Sequence, residues 1–171
     1  MRNRKRFTFS ILMGFFLCFA VQPALCFAEI NSRYLKIAGD PLFTYYLDTE
    51  TVRYIKDPYR DENLIDAWIK IVCEPDGAAA EIKNRKSKGL STEGYDRLFY
   101  SVRRYYFRLK ERQMQLMISR DFAIDGTQLE IQKYEYSAAR WDDLAPSTLG
   151  DYWYGKVRGY MEKRTDEKNN Q

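Results

Sequence analysis

The segment Arg97–Tyr136 constrains the fold more than any other part of the chain. It contains three runs rich in β-forming residues, Leu98–Leu109, Met114–Ala123 and Gln128–Tyr136, and the breaks between them are short and polar. Runs of this kind joined by hairpin-length breaks, one of them containing Asp-Gly, are typical of an antiparallel meander. A sheet with so much Tyr, Phe, Met and Ile must bury at least one face, so other segments are expected to cover it.

The clearest single strand precedes the meander, at Leu64–Glu74. Its residues fall into two alternating sets, one mixed and the other entirely apolar: Ile65, Ala67, Ile69, Ile71 and Cys73. This period of two predicts a strand with one buried face and one partly covered face. Further strands are predicted at Tyr34–Ala38, Phe43–Leu47 and Arg53–Lys56.

Two helices are expected to cover the sheet. Asp76 is placed to cap a short helix rich in alanine, which Gly89 closes. The basic residues of this helix, Arg85 among them, are expected to keep their charges in water. Ser147 is expected to cap a longer C-terminal helix. The inward stripe of that helix consists of four residues at spacings of four, four and three: Leu149, Trp153, Val157 and Tyr160.

These elements predict an α+β protein. A curved antiparallel meander is expected to pack against the C-terminal helix, and the alanine-rich segment supplies one further short helix. Residues 29–163 have the length of one domain with a single core, and no internal repeat divides them. Residues 164–171 are predicted to be a polar tail.

The first 28 residues are interpreted as a signal peptide. A basic segment at Arg2–Arg6 precedes an apolar run of 15 residues, and a small-x-small pattern ends at Ala28, so cleavage is expected before Glu29. The run is shorter than the roughly 20 residues that a membrane-spanning helix needs, so no transmembrane span is expected after cleavage. Cys26 suggests a lipoprotein, but the bulky Leu25 occupies a place where lipidation favours a small residue. The protein is therefore expected to be periplasmic, on the cell surface or secreted.

Composition excludes several functions once the signal peptide is set aside. The first 28 residues hold four of the 28 basic residues and none of the 24 acidic ones, so residues 29–171 balance at 24 against 24. Such a chain has no overall excess of positive charge for nucleic acid. It has no His, which removes Ser/His/Asp and Cys/His catalysis and the usual zinc sites, and Cys73 alone cannot form an internal disulfide. We expect no enzyme, no cofactor and no metal.

The aromatic residues point instead to binding. The chain has 14 tyrosines, and aromatic-rich surfaces bind sugars or proteins. In the last strand of the meander, alternation puts the two aliphatic residues on one face and Tyr134 and Tyr136 on the other. With Trp141 in the following loop, these two tyrosines form a candidate binding patch. Alternatively, a bulge near Gln132–Lys133 returns both tyrosines to the core.

Several short motifs resemble a known group of proteins. They are Tyr45–Thr49 (YYLDT) with Val52, Trp68 within a strand, the Asp125–Gly126 turn, and Trp141–Gly150 (WDDLAPSTLG) before the last helix. With the signal peptide, they resemble small exported bacterial proteins of the surface-adhesin protein E-like group, over most of residues 34–160. The resemblance implies a curved antiparallel sheet on a terminal helix and a binding role. Members often carry paired cysteines, which this chain lacks.

The function expected from the sequence is therefore non-enzymatic binding outside the cytoplasm. The first interpretation is an adhesin-like protein of the cell envelope or of the secreted fraction, which contacts a protein or a glycan. The alternative is a periplasmic module that binds a small ligand or an envelope glycan in a Tyr-lined concavity. Nucleic acid is not expected as a partner.

Overall fold

A computed structural model describes residues 33–137 and 140–169, and it describes the side chains of all of these up to residue 167. The expected signal peptide, Cys26 and the cleavage point at Ala28 and Glu29 lie outside the described residues. The strands are β1 (Tyr34–Gly39), β2 (Phe43–Asp48), β3 (Arg53–Lys56), β4 (Asn63–Cys73), β5 (Leu98–Arg108), β6 (Gln113–Ala123), β7 (Gln128–Lys133) and β8 (Asp142–Asp143). The helices are α1 (Gly77–Ser87), a short 3₁₀ helix (Tyr95–Arg97) and α2 (Leu149–Asn169).

The strands form one antiparallel sheet, which confirms the predicted α+β class with its meander and C-terminal helix. The main order is β1-β2-β4-β5-β6-β7. The long strand β4 pairs with β5 along one edge and with β2 and then β3 along the other, while β8 pairs with the start of β6. Strand β7 ends at Lys133, three residues earlier than predicted, so strand alternation does not extend to Tyr134 and Tyr136.

The sheet has one face that both helices cover. The predicted row on β4 lies there, with Ile65, Ala67 and Ile69 fully buried against Phe107 of β5 and Trp153 of α2. We call this the helix-covered face, and the opposite one the open face. Burying the apolar row against α2 removes this face from water and so stabilises the sheet.

The C-terminal helix differs from its predicted pattern at both ends. Thr148, rather than Ser147, caps it, because its Oγ1 accepts a hydrogen bond from the Asp151 backbone N–H at 3.3 Å. Leu149 is exposed, so the buried stripe begins one turn later, at Trp153, and also includes Tyr154 and Met161. The helix continues through residues 164–169, predicted as a polar tail. Within the described residues, no helix has the length and apolar composition to cross a membrane.

The short helix α1 ends as predicted but buries a charge that was not expected to be buried. Gly89 adopts φ +67°, and the backbone N–H of Leu90 donates to the Arg85 carbonyl at 3.0 Å, which is a left-handed C-terminal cap. The prediction that Arg85 keeps its charge in water is wrong, since this residue is only 4% exposed. Its partner, Glu130, comes from β7, 45 residues along the chain, where local periodicity carries no information.

Candidate functional site

A cleft of about 330 Å³ opens between α1 and α2 above the helix-covered face. Its lining combines aromatic rings with polar side chains, chiefly Phe43, Tyr45, Arg103, Asp121, Tyr134 and Trp153. A cavity of this volume is at the lower end of the range of small-molecule sites. The cleft is therefore a candidate site for a ligand of modest size.

The register of the sheet makes one end of the helix-covered face polar. Ile69 of β4 pairs with Arg103 of β5, which in turn pairs with Ser119 of β6. Ile71, on the same row of β4, pairs with Ser101 of β5, which pairs with Asp121 of β6. Because α2 covers the apolar end of the face, the polar end is left to line the cleft, with α1 on its other side.

A buried hydrogen-bond network forms one wall of the cleft. Asp121 accepts hydrogen bonds from Ser101 Oγ at 2.6 Å and from Tyr95 Oη at 2.7 Å. Tyr95 Oη also lies 2.8 Å from Glu130 Oε2, which accepts from Arg85 Nη1 at 2.6 Å. The Arg85 guanidinium stacks 3.9 Å above the Tyr95 ring. These groups satisfy one another's hydrogen bonds, so this wall is rigid, and it holds two carboxylates, Asp121 and Glu130, against one cation, Arg85.

The pKa values of this wall follow from burial and from these contacts. Burial, reinforced by the hydrogen bond to Asp121, raises the pKa of Tyr95 far above its ordinary value. Burial alone would raise the pKa of Glu130, but the hydrogen bonds from Arg85 and Tyr95 outweigh it and the pKa is lowered. At neutral pH the wall therefore holds a neutral phenol and an ionised carboxylate.

Two N–H donors of the cleft have no acceptor within the described part of the chain. They are Nε of Arg103 and Nε1 of Trp153, whose side chain is only 4% exposed. The Trp153 ring packs on Tyr45 at 5.2 Å and on Tyr105 at 5.6 Å between centroids, so its donor has a defined position. The Arg103 guanidinium is hydrogen-bonded to Tyr105 and is attracted by Asp121 and Glu81, but it forms no direct ion pair with a described carboxylate. A buried donor without an acceptor costs free energy, which a ligand oxygen in the cleft would recover.

The thiol of Cys73 has no sign of activation. Cys73 lies at the end of the apolar row of β4 and is half-buried. Burial, with the nearby Asp121 charge adding to it, raises the pKa of the thiol to about 11, so the nucleophilic thiolate is scarce at neutral pH. Among the described residues, no group of three or more acidic or Cys side chains is arranged to hold a metal ion.

The structure brings together two of the three residues of the predicted patch. Tyr136 and Trp141 meet edge to face, with ring centroids 6.0 Å apart. Tyr134 instead lines the cleft, where its hydroxyl donates to Gln132. The two tyrosines separate because β7 has already ended at Lys133. The sheet does contain a bulge in β7, but it lies at Leu129, opposite the Asp121–Phe122 step, and not at the place considered from the sequence.

Tyr136 and Trp141 belong to a separate aromatic cluster, completed by Tyr59. Its base is Arg108, whose guanidinium lies 3.9 Å from the Trp141 ring and 3.1 Å from the buried carboxylate of Asp57. Tyr136 Oη donates to that carboxylate at 2.7 Å. Tyr59 stacks on Tyr136 at 5.4 Å and is 69% exposed. The cluster therefore presents an exposed ring on a fixed base.

Sequence reasoning missed Arg103 and the indole N–H of Trp153 as site residues. One signal for Arg103 was present, because it alternates with Tyr105 and Phe107 and so shares their buried face. No local signal marks the Trp153 donor, since its missing acceptor is a property of the assembled cleft. Comparison with known protein families, curated proteins and solved structures finds no match for this chain. The resemblance to the surface-adhesin protein E-like group therefore stays a prediction.

Proposed function

We propose that this chain is an exported, non-enzymatic binding protein that holds a small ligand in the cleft between α1 and α2. The observation that carries the proposal is the pair of donors without acceptors in the described chain, Arg103 Nε and Trp153 Nε1, in one aromatic-lined cavity. Export is supported by the basic segment, the apolar run and the cleavage pattern at Ala28.

The donors and the walls define the class of ligand. The Arg103 guanidinium is attracted by Asp121 and Glu81 but has no described carboxylate in direct contact. This favours a ligand carboxylate, because charge-assisted hydrogen bonds are the strong ones. The rings of Phe43, Tyr45 and Trp153 suit the ring or hydrocarbon part of the same molecule. The ligand we propose is thus a small organic acid or sugar acid, which makes the Tyr-lined concavity the favoured interpretation.

Arg103→Gln is expected to weaken binding of such an acid by about tenfold or more, because it removes a hydrogen bond to a charged group. Trp153 lies in the cleft, so its fluorescence reports occupancy when the protein is titrated with a panel of small carboxylates and the matching amides. Arg158→Gln is the control, since this arginine lies on the exposed side of α2 and pairs with Glu162. Equal affinity of wild type and Arg103→Gln for every acid, or no saturable signal with any of them, would contradict the proposal.

The aromatic cluster favours a second function, adhesin-like contact with a protein or a glycan. Tyr59 exposes a ring that is already stacked on Tyr136, so little conformational entropy is lost when a partner covers it.

For this second function, Tyr59→Ser is expected to abolish adhesion to whole cells or extracted matrix while the melting temperature changes little. The ring contributes contact area for the partner but little buried area to the fold. Tyr152→Ser, at an exposed tyrosine of α2, is the matched control and should leave adhesion unchanged. Adhesion that survives Tyr59→Ser would count against an adhesin-like role for the cluster.

A further inference from the structure

One cross-strand row on the open face alternates cations with uncharged side chains. The register aligns six residues from β1 to β7: Lys36, Tyr46, Lys70, Val102, Arg120 and Ile131. A cation thus stands on every second strand. Because neighbouring strands lie about 4.8 Å apart, the cations recur at roughly 10 Å across the sheet.

The inner two cations lie against aromatic rings. Lys70 Nζ is 5.0 Å from the ring centroid of Tyr34 and 4.7 Å from that of Tyr100, and the Arg120 guanidinium is 5.7 Å from the Trp68 ring. These contacts orient the long side chains and leave flat ring surfaces beside the charges. The open face therefore carries cations that alternate with uncharged side chains and lie beside aromatic rings.

The cations of this row have no counter-ions in the described part of the chain. Neither Lys70 nor Arg120 forms an ion pair there, and Arg120 Nε also lacks an acceptor. Asp48 and Asp66, which lie on the same face, are each held by an arginine at 2.7 Å. Burial, with a smaller contribution from the Arg33 charge, lowers the pKa of Lys70, as expected for an unpaired cation. This row therefore carries unpaired positive charge, although residues 29–171 balance overall.

We propose that the open face binds an acidic polysaccharide whose uronate groups alternate with uncharged sugars, laid across the strands along the Lys36–Lys70–Arg120 row. Its charges recur once per disaccharide, a length close to the roughly 10 Å between the cations. Its uncharged sugars meet Tyr46 and Val102 between them. An extended acidic peptide places side chains of one face about 7 Å apart, which does not match. A nucleic-acid strand carries a charge on every nucleotide, which is also too dense. This surface is independent of the cleft.

The test measures binding of hyaluronan fragments, which alternate a uronate with an uncharged sugar, by calorimetry at low ionic strength. Replacing Lys70 and Arg120 together by Gln is expected to weaken binding about tenfold, and Lys36→Gln alone about threefold, since exposed ion pairs are individually modest. Lys163→Gln, at an exposed lysine of α2, should bind as wild type does. Wild-type protein that binds no hyaluronan, or a folded double variant with unchanged affinity, would overturn the proposal.

Two competing polymers decide the class of partner. Poly-glutamate and a single-stranded oligonucleotide are titrated at the same charge concentration and ionic strength, with neutral dextran as the blank. Because the cation spacing matches the disaccharide repeat, hyaluronan is expected to bind at least several-fold more tightly than either polyanion, and equal or reversed affinities overturn the proposal. If the double variant does not fold, Lys36→Gln carries the test, because this side chain is exposed at the sheet edge. In that case a threefold loss supports the proposal, and no loss overturns it.

Discussion

Trp153→Ala is expected to lower the free energy of unfolding by about 3–5 kcal/mol, the usual cost of removing a large buried aromatic side chain. The indole is 4% exposed and packs on the rings of Tyr45 and Tyr105, so its loss leaves a cavity between α2 and the sheet. Urea denaturation followed by circular dichroism measures the change, because the substitution removes a fluorophore. Tyr152→Ala, at the exposed neighbour on the same helix, should change stability by less than about 0.5 kcal/mol.

A second substitution separates the packing role of Trp153 from its role as a donor. Trp153→Phe keeps an aromatic ring but has no N–H to offer. We expect it to retain more of the stability than Trp153→Ala does and to lose affinity for the small carboxylates that bind in the cleft. An unchanged unfolding midpoint for Trp153→Ala would show that α2 does not hold the sheet as described.

Asp57→Ala is expected to lower the free energy of unfolding by about 3–5 kcal/mol, which is the usual effect of removing one partner from a buried ion pair. The side chains of Asp57 and Arg108 are 0% and 2% exposed, so the substitution leaves a guanidinium buried against Trp141. Glu62 lies 3.4 Å from Arg108 Nε and replaces only part of the lost electrostatic interaction. Asp61→Ala is the control, because that carboxylate lies in the same loop and is fully exposed. Equal effects of the two substitutions would mean that the buried pair is not a source of stability.

The same pair predicts how stability depends on pH. Burial acts to raise the pKa of Asp57, but hydrogen bonds from the Tyr59 N–H, Tyr136 and Arg108 outweigh it and the pKa is lowered. A carboxylate with a lowered folded-state pKa stabilises the fold above its unfolded pKa of about 3.9. That stabilisation is lost as the pH falls through the folded-state pKa. The urea midpoint of the wild type should therefore decline in acid more steeply than that of Asp57→Ala.

Local periodicity was sufficient to predict the main strands and helices of the fold. Strand β3 has the predicted bounds, Arg53–Lys56, and the apolar row of β4 is the buried one, because alternation and turn residues act over a few positions. The C-terminal cap at Gly89 is equally local, since a positive φ favours glycine. Features encoded within one element could be predicted from that element.

The polar sites could not be predicted in this way, because each depends on partners far apart in the chain. The burial of Arg85 requires Glu130, and that of Asp57 requires Arg108 and Tyr136. Tyr134 and Tyr136 were expected to lie together, but the end of β7 at Lys133 sends one to the cleft and the other to the aromatic cluster. Such outcomes depend on where strands stop and which loops meet.

For the charges of the chain, too, the sequence determines one part and the tertiary structure another. A count of Lys, Arg, Asp and Glu establishes that residues 29–171 are balanced, and it argued against nucleic acid as a partner. The register decides where those charges lie: it aligns Lys36, Lys70 and Arg120 on one face, where the carboxylates of Asp48 and Asp66 are paired with other arginines. The sequence by itself determined which segments become strands and helices and which of their faces are apolar, since those properties arise from neighbours in the chain. Only the tertiary structure decided which polar groups meet and which are left without partners, because strand pairing and helix docking bring together residues that no local pattern connects.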